Sequence, residues 1–243
     1  MKISAIVLVG KNEPYLEYCL KSIENIVDEI IYVMPINEAN VGMTLHSIGT
    51  KNRVLTQNTK EIDFAKWRNQ ALEACCGDFV FWIDADEVFA NLDGSPVSRK
   101  SFEGLCKSMD SEGYPSTGFF TRHFIYNYFT LDGRNNGLHV SADRLFKADS
   151  VKGWQGAVHE RVVFKTKRKT RNIMGPAIWH FGHCKGIEDI VKRYRSRHIK
   201  DNPFTGKMSK NEFDRYLRTH QMLRGTLPLS KYDGPMPKVM NLW

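Results

Sequence analysis

The sequence predicts an α/β fold, with a mostly parallel central sheet flanked by helices and a smaller antiparallel C-terminal part. Three observations predict it. Over the first ninety residues, short apolar runs alternate with segments whose apolar residues recur at helical spacing, the pattern of βαβ units. After residue 115, longer β-branched and aromatic runs are separated by the turn signals Asp132-Gly133 and Asn136-Gly137, as in antiparallel strands. Between the two patterns stands Phe79-Val80-Phe81-Trp82-Ile83, a buried-strand run that ends abruptly in Asp84-Ala85-Asp86-Glu87. Ligands of parallel sheets bind beyond the carboxyl ends of the strands, where these acids emerge.

The elements follow in order. Residues 3–9 form a first strand. Asn12 offers an N-cap and Pro14 suits a first helical turn, and Leu16, Cys19, Leu20, Ile23 and Ile26 make one apolar face. Residues 29–34 are a second strand, parallel to the first because a helix intervenes. A long loop from residue 35 to about 49 leads to a short strand at 53–55. Asp63 caps the next helix, whose apolar stripe is Phe64, Trp67, Ala71, Leu72 and Cys75, with Gly77 just past its end. Residues 98–109 read as an amphipathic helix. Strands are expected at 119–126, 140–146, 162–165 and 177–180, with the basic run 165–171 as a solvated hairpin tip. Helices at 186–200 and 209–224 and an irregular tail from 227 complete the chain.

The 243 residues are enough for one large α/β domain, and 42% hydrophobic and 26% charged residues are a globular rather than a disordered composition. No apolar run approaches the roughly 20 residues of a spanning helix. The N-terminal run stops at Lys11-Asn12-Glu13-Pro14 with no small-residue cleavage site, so it reads as a strand and not as a signal peptide. Five cysteines, two of them adjacent and none at metal-finger spacing, argue against a disulfide framework and for a reducing, cytoplasmic compartment. The net charge of +8 fits solubility, anionic membranes or phosphorylated substrates, and no nucleic-acid-binding motif accompanies it.

Asp84 and Asp86 flank one residue at a strand end, and hard oxygen ligands there suit Mg²⁺ or Mn²⁺ carrying substrate phosphates, with Glu87 as a third candidate. The string Asp84-Ala85-Asp86-Glu87-Val88 resembles the nucleophile motif of haloacid-dehalogenase-like phosphatases. In that family, however, the motif lies on the first core strand, whereas some eighty residues precede it here.

A second resemblance covers residues 2–160. The first strand with Lys11-Asn12-Glu13, the second strand, the helix 63–72, the 77–87 block, Arg144-Leu145-Phe146-Lys147 and Gly156-Ala157-Val158-His159-Glu160 together resemble family 2 glycosyltransferases of GT-A fold, in the branch that decorates lipopolysaccharide cores. The resemblance implies a single domain, 1–225, with a nucleotide-binding half (1–90), an acceptor half (91–225) and the irregular tail 226–243. It implies a metal-dependent, inverting transfer of sugar from a nucleotide-diphosphate sugar, UDP-sugar by default, to a hydroxyl of a glycan or glycolipid. Asp86 would be the direct Mn²⁺ or Mg²⁺ ligand and Asp84 would lie nearer the ribose and metal water. His180 would complete the shell, with His183 second; strand alternation interrupted at Gly182 favours one histidine ligand over two. Val9, Asn12, Glu13, Arg68 and Ala85 would contact the nucleotide. The acidic-Gly-Ser-x-Asp loop usual after the second strand is replaced by residues 34–40, where Asn37 or Glu38 would substitute. Glu160 is the expected general base, with Asp143 and His159 as alternates. The basic segment 186–200 would face donor phosphates, an anionic acceptor or a membrane surface. A non-catalytic sugar- or nucleotide-binding module on the same fold is the alternative that the altered loop favours.

Overall fold

The computed structural model describes residues 1–10, 13–35, 51–57, 63–156, 160–167, 169–184 and 228–241. β1 (Ile3–Leu8), α1 (Leu16–Ile23), β2 (Glu29–Pro35) and β3 (Lys51–Gln57) open the chain. α2 (Phe64–Ala74), β4 (Phe79–Asp84), β5 (Glu87–Asn91) and α3 (Arg99–Glu112) follow. β6 (Ser116–Ile125), β7 (Thr130–Asp132) and β8 (His139–Lys147) come next. β9 (Val151–Gln155), β10 (Arg161–Phe164), β11 (Thr170–His183) and β12 (Leu229–Lys231) complete the strands.

The main sheet runs β12-β7-β6-β8-β4-β1-β2-β3, with β11 joined to β6 and β5 joined to β11. β3, β2, β1 and β4 are mutually parallel, and β11 runs parallel to β6. β8 is antiparallel to both β4 and β6, and β5 is antiparallel to β11. β9 and β10 form a separate two-stranded antiparallel sheet. This is the expected mixed α/β architecture, with the alternating first half supplying the four adjacent parallel strands β3, β2, β1 and β4.

Burial on both faces explains the unbroken apolar runs. Phe79, Phe81 and Ile83 of β4 point into a cluster with Leu16, Cys19, Leu20 and Ile23 of α1 and Phe102, Cys106 and Met109 of α3. Val80 points the other way, with Ile6, Ile31, Ala65, Ala71 and Trp154. Phe81, Phe89, Phe102 and Phe119 meet in edge-on and tilted contacts at 4.8–5.9 Å, geometries favoured by ring quadrupoles. A third cluster, with Val88, Phe124, Trp179 and Phe181, lies at the β5–β6–β11 end.

Several expectations are corrected. α1 begins at Leu16 after Tyr15, which makes no side-chain cap, and Pro14 sits in the preceding turn; Asn12 lies outside the described residues. The predicted stripe of α2, Phe64, Trp67, Ala71, Leu72 and Cys75, does pack on the core, but Ala65 and Arg68 are buried with it, and the helix ends at Cys75, two residues before Gly77. Gly77 instead lets Ser4 pass close, since a Cβ there would lie 2.6 Å from the Ser4 nitrogen. The basic run is no hairpin tip, because β10 pairs with β9 while β11 joins the main sheet. Arg171 bonds Glu112 and Ser108, and Lys169 lies over the Tyr114 ring, so these cations dock at the C-terminal end of α3, where the helix dipole favours them. Within the described part of the tail, residues 228–241, β12 pairs with β7, and Tyr232, Met236, Val239 and Met240 pack on the third cluster. The predicted helices 186–200 and 209–224 lie outside the described residues. Among the described residues, no helix is long and apolar enough to cross a membrane.

Candidate functional site

β4 ends beside β1, with Asp84 opposite Leu8. Ala85 and Asp86 then turn the chain into β5, so strand alternation does not continue through the acidic cluster. Glu87 holds the turn from within. Its Oε2 accepts the Asp84 backbone N–H at 2.9 Å, and its two oxygens take Nη1 and Nη2 of Arg144 at 2.9 and 2.7 Å. Glu87 is 2% exposed, and burial pushes its carboxyl above the usual range even with Arg144 facing it. Glu87 is therefore an internal brace and not a third metal ligand.

Arg68 crosses from α2 to the same strand end. Nη2 donates to Asp84 Oδ1 at 2.7 Å and Nε to Glu160 Oε1 at 2.6 Å. Its guanidinium lies 4.1 Å from the centre of the Trp82 ring, and that of Arg144 lies 3.7 Å from the same centre. Trp82 is fixed by Nε1–H donating to the Asp143 carbonyl at 2.7 Å. Arg68 is 3% exposed, which excludes an exposed helix charge, and Nη1 is buried without a hydrogen-bond partner among the described residues. Burial opposes ionisation of both partners, but the ion pairs outweigh it. Arg68 and Arg144 bring Asp84 down to about 2, and Asp84 and Glu160 push Arg68 up. Glu160 thus bonds Arg68, the partner 92 positions away, in place of the Arg161 contact that sequence proximity suggests.

Asp86 joins a different group. Its carbonyl accepts the Phe181 N–H at 2.9 Å, which clips the turn to the end of β11. Its Oδ1 lies 3.8 Å from His180 Nε2. A Cβ on Gly182 would lie 2.3 Å from Asp86 Oδ2 and 2.7 Å from His180 Nε2, so only glycine leaves both side chains in place. His180 Nδ1 lies 3.0 Å from His123 Nδ1. The β11–β6 register slips between His180 and His183, and the two rings come to 5.1 Å, closer than strand alternation suggests. His123 also meets His139 at 5.1 Å. Burial, followed by the three neighbouring imidazoles, pushes His123 down to about 2. His123 and His139 carry no motif in the sequence; pairing of β11 and β8 with β6 brings them to the site.

The remaining candidates are placed as follows. Val9 is buried, and its N–H is taken by the Val33 carbonyl. Ala85 is buried in the turn. Glu13 lies before α1, and its carbonyl accepts the Leu16 N–H. Asp143 sits in the β8 bulge at φ 44°, and its Oδ1 accepts the Ser116 hydroxyl at 2.7 Å in a buried position. Asn12, Asn37, Glu38 and His159 lie outside the described residues. A shallow groove of about 570 Å³ crosses the face of α2 beside Asn69, Trp154 and Gly156, but its lining includes none of Asp84, Asp86 or His180. No three His, Cys, Asp or Glu side chains converge as a complete metal shell among the described residues.

No family model matches the chain, and no curated protein sequence does. Among solved structures, S. aureus TarS 1-349 in complex with UDP superposes with a TM-score of 0.53 and 12% identity, over 94% of this chain and 81% of that one. The same protein in complex with UDP-GlcNAc gives 0.52 and 12%, over 94% and 82%. The fold is GT-A, that of nucleotide-diphospho-sugar transferases. At this identity the likeness is one of architecture, and the chemistry rests on the residues above.

Proposed function

We propose that this chain is a family 2 glycosyltransferase that moves a sugar from a nucleotide-diphosphate sugar, UDP-sugar by default, to a hydroxyl of a glycan or glycolipid. The observation that carries the reading is the convergence at the end of β4 of two different binding elements. One is the Asp86–His180 pair, whose Oδ1 and Nε2 lie 3.8 Å apart. The other is the unpartnered Nη1 of Arg68. A buried guanidinium donor suits a phosphate oxygen, and the TarS structures with UDP and UDP-GlcNAc support that choice of ligand.

The donor set fits a divalent cation. A carboxylate and a neutral imidazole beside the diphosphate suit Mn²⁺, and Mg²⁺ is bound by few protein ligands together with substrate phosphates, which agrees with an incomplete protein shell. Asp86 and His180 would hold the ion, with Asp84 and His183 adjacent. When bound, it would neutralise charge on the departing nucleoside diphosphate. Arg68 orients the diphosphate through Nη1 while Asp84 and Glu160 fix its plane. Glu160 Oε1 is held by Arg68, so Oε2 takes the proton of the attacking hydroxyl. The segment 186–200 would meet an anionic acceptor or membrane surface. Asp84, bound to Arg68 at the end of the fourth strand, is poorly placed as the nucleophile of a dehalogenase-like phosphatase.

Calorimetry tests the assignment. UDP binding is expected to depend on Mn²⁺ and to be abolished by Asp86→Ala. Unchanged affinity in that variant removes the metal assignment. Glu160→Gln is expected to bind donor normally and to lose transfer by roughly 10²–10⁴-fold.

A further inference from the structure

The Nδ1 atoms of His123 and His180 lie at hydrogen-bond distance, and such a contact holds one proton. Two Nδ1–H groups would repel each other, and two bare nitrogens would form no bond. The other nitrogen of His180 faces Asp86 across 3.8 Å, with Gly182 leaving room for both side chains. A histidine can ligate a cation through Nε2 only when that nitrogen carries no proton, and the bond made by the opposite nitrogen decides this. The proton must then sit on His180 Nδ1, and the group opposite must accept it.

We infer that His123 is the positioning residue of the cation site: as the Nε2–H tautomer it accepts the His180 Nδ1–H, and so holds His180 with its Nε2 lone pair facing Asp86. This rests on the metal reading of Asp86 and His180 above. Its structural basis is independent of that reading. His123 and His180 are directly opposed in the parallel β6–β11 register, so both rings are carried by paired backbone. The rings of His139 and His180 pack against that of His123 at 5.1 and 4.9 Å, which restricts its rotation. If His123 donated instead, the proton of His180 would move to Nε2 and close the ligand position.

The test measures Mn²⁺ affinity by electron paramagnetic resonance, in the presence of UDP, for the full chain and three variants. His180→Ala is expected to lose high-affinity binding. His123→Leu, which fills the space without an acceptor, is expected to weaken binding by about 10–100-fold, the usual scale for a partner behind a metal ligand. His123→Asn places an amide oxygen near the lost Nδ1 and is expected to restore most of the affinity. Nitrogen NMR of histidine-labelled wild type with Mg²⁺ and UDP is expected to show His180 protonated at Nδ1 and His123 at Nε2, which needs no variant to fold. Wild-type affinity in His123→Leu, or a proton on His123 Nδ1 in the loaded protein, overturns the inference while the metal reading stands. Absence of Mn²⁺ binding by wild type, or full binding by His180→Ala, overturns the metal reading and the inference with it.

Discussion

At the scale of single residues, the site depends on where small and charged groups are forbidden to move. Gly182 is the clearest case. Its backbone does not need the left-handed region; what it needs is the absence of a Cβ under Asp86 and His180. Gly182→Ala should displace the Asp86 carboxylate, the shorter and freer of the two groups, and leave the buried strands nearly unchanged. The expected result is Mn²⁺ affinity weakened by about 10-fold or more with a small change in melting temperature, read by calorimetry on one preparation. A loss of stability with normal affinity would show that the contact is only packing. Asp84 and Asp86 could be picked out in the sequence because an apolar strand that stops at a group of acids brings like charges together where a parallel sheet opens to its ligand. The different partners of the two acids could not be picked out. Arg68 lies beside the apolar stripe of its helix, and its burial is tolerable only because Asp84 and Glu160 neutralise it from far along the chain.

Elements are joined by a few polar ties whose strength depends on pH. Asp28, just ahead of β2, accepts the Ile3 N–H of β1 at 2.7 Å and Nη2 of Arg99 in α3 at 2.9 Å. Partial burial opposes its ionisation, but these donors outweigh it and lower its carboxyl below the usual value. A depressed carboxyl contributes stability that is fully present above the unfolded value, about 3.9, and lost as pH falls through the folded one. Asp28→Asn should therefore melt below wild type at pH 6, by an amount worth roughly 1 kcal/mol for a partly exposed pair. The gap should close as pH falls below about 4. A gap that stays constant down to the acid limit would assign the effect to packing. The long periodic elements, α1 to α3, β1, β2 and β4, were legible because burial on one or both faces writes a period into the residues. β5, β9 and β12 are three to five residues long, and the polar first half of β11 pairs, among the described residues, with β6 alone, since β5 joins it only from Pro176. Their strand character comes from partners and not from their own composition, so no local pattern announces them.

Across the whole molecule, the same limitation conceals how the chain closes. Pro228 onwards reads as an irregular tail, yet it covers the region that carries His123 and His180. The Pro228 carbonyl accepts the Gly133 N–H, and the Gly94 carbonyl accepts the Lys238 N–H. Tyr232 packs edge-on against Phe124 and Trp179, and Arg122 donates to its hydroxyl while lying over the Trp179 ring. Gly94, at φ 77°, must be glycine twice over, because a Cβ there would lie 2.4 Å from the Met236 carbonyl oxygen. Tyr232, Met236, Val239 and Met240 are partly buried on the third cluster, and removing that cover should cost roughly 4 kcal/mol of apolar burial. For a chain of this size, that corresponds to a melting temperature lower by roughly 10 °C. Deletion of residues 228–243 is expected to show this shift by differential scanning calorimetry, whereas an irregular tail would leave the transition where it was. Because β6 and β11 carry both the exposed cluster and the histidine pair, Mn²⁺ affinity should fall in the truncated chain even below its transition. The expected fall would reach the site through β6 and β11, the two strands that the tail covers.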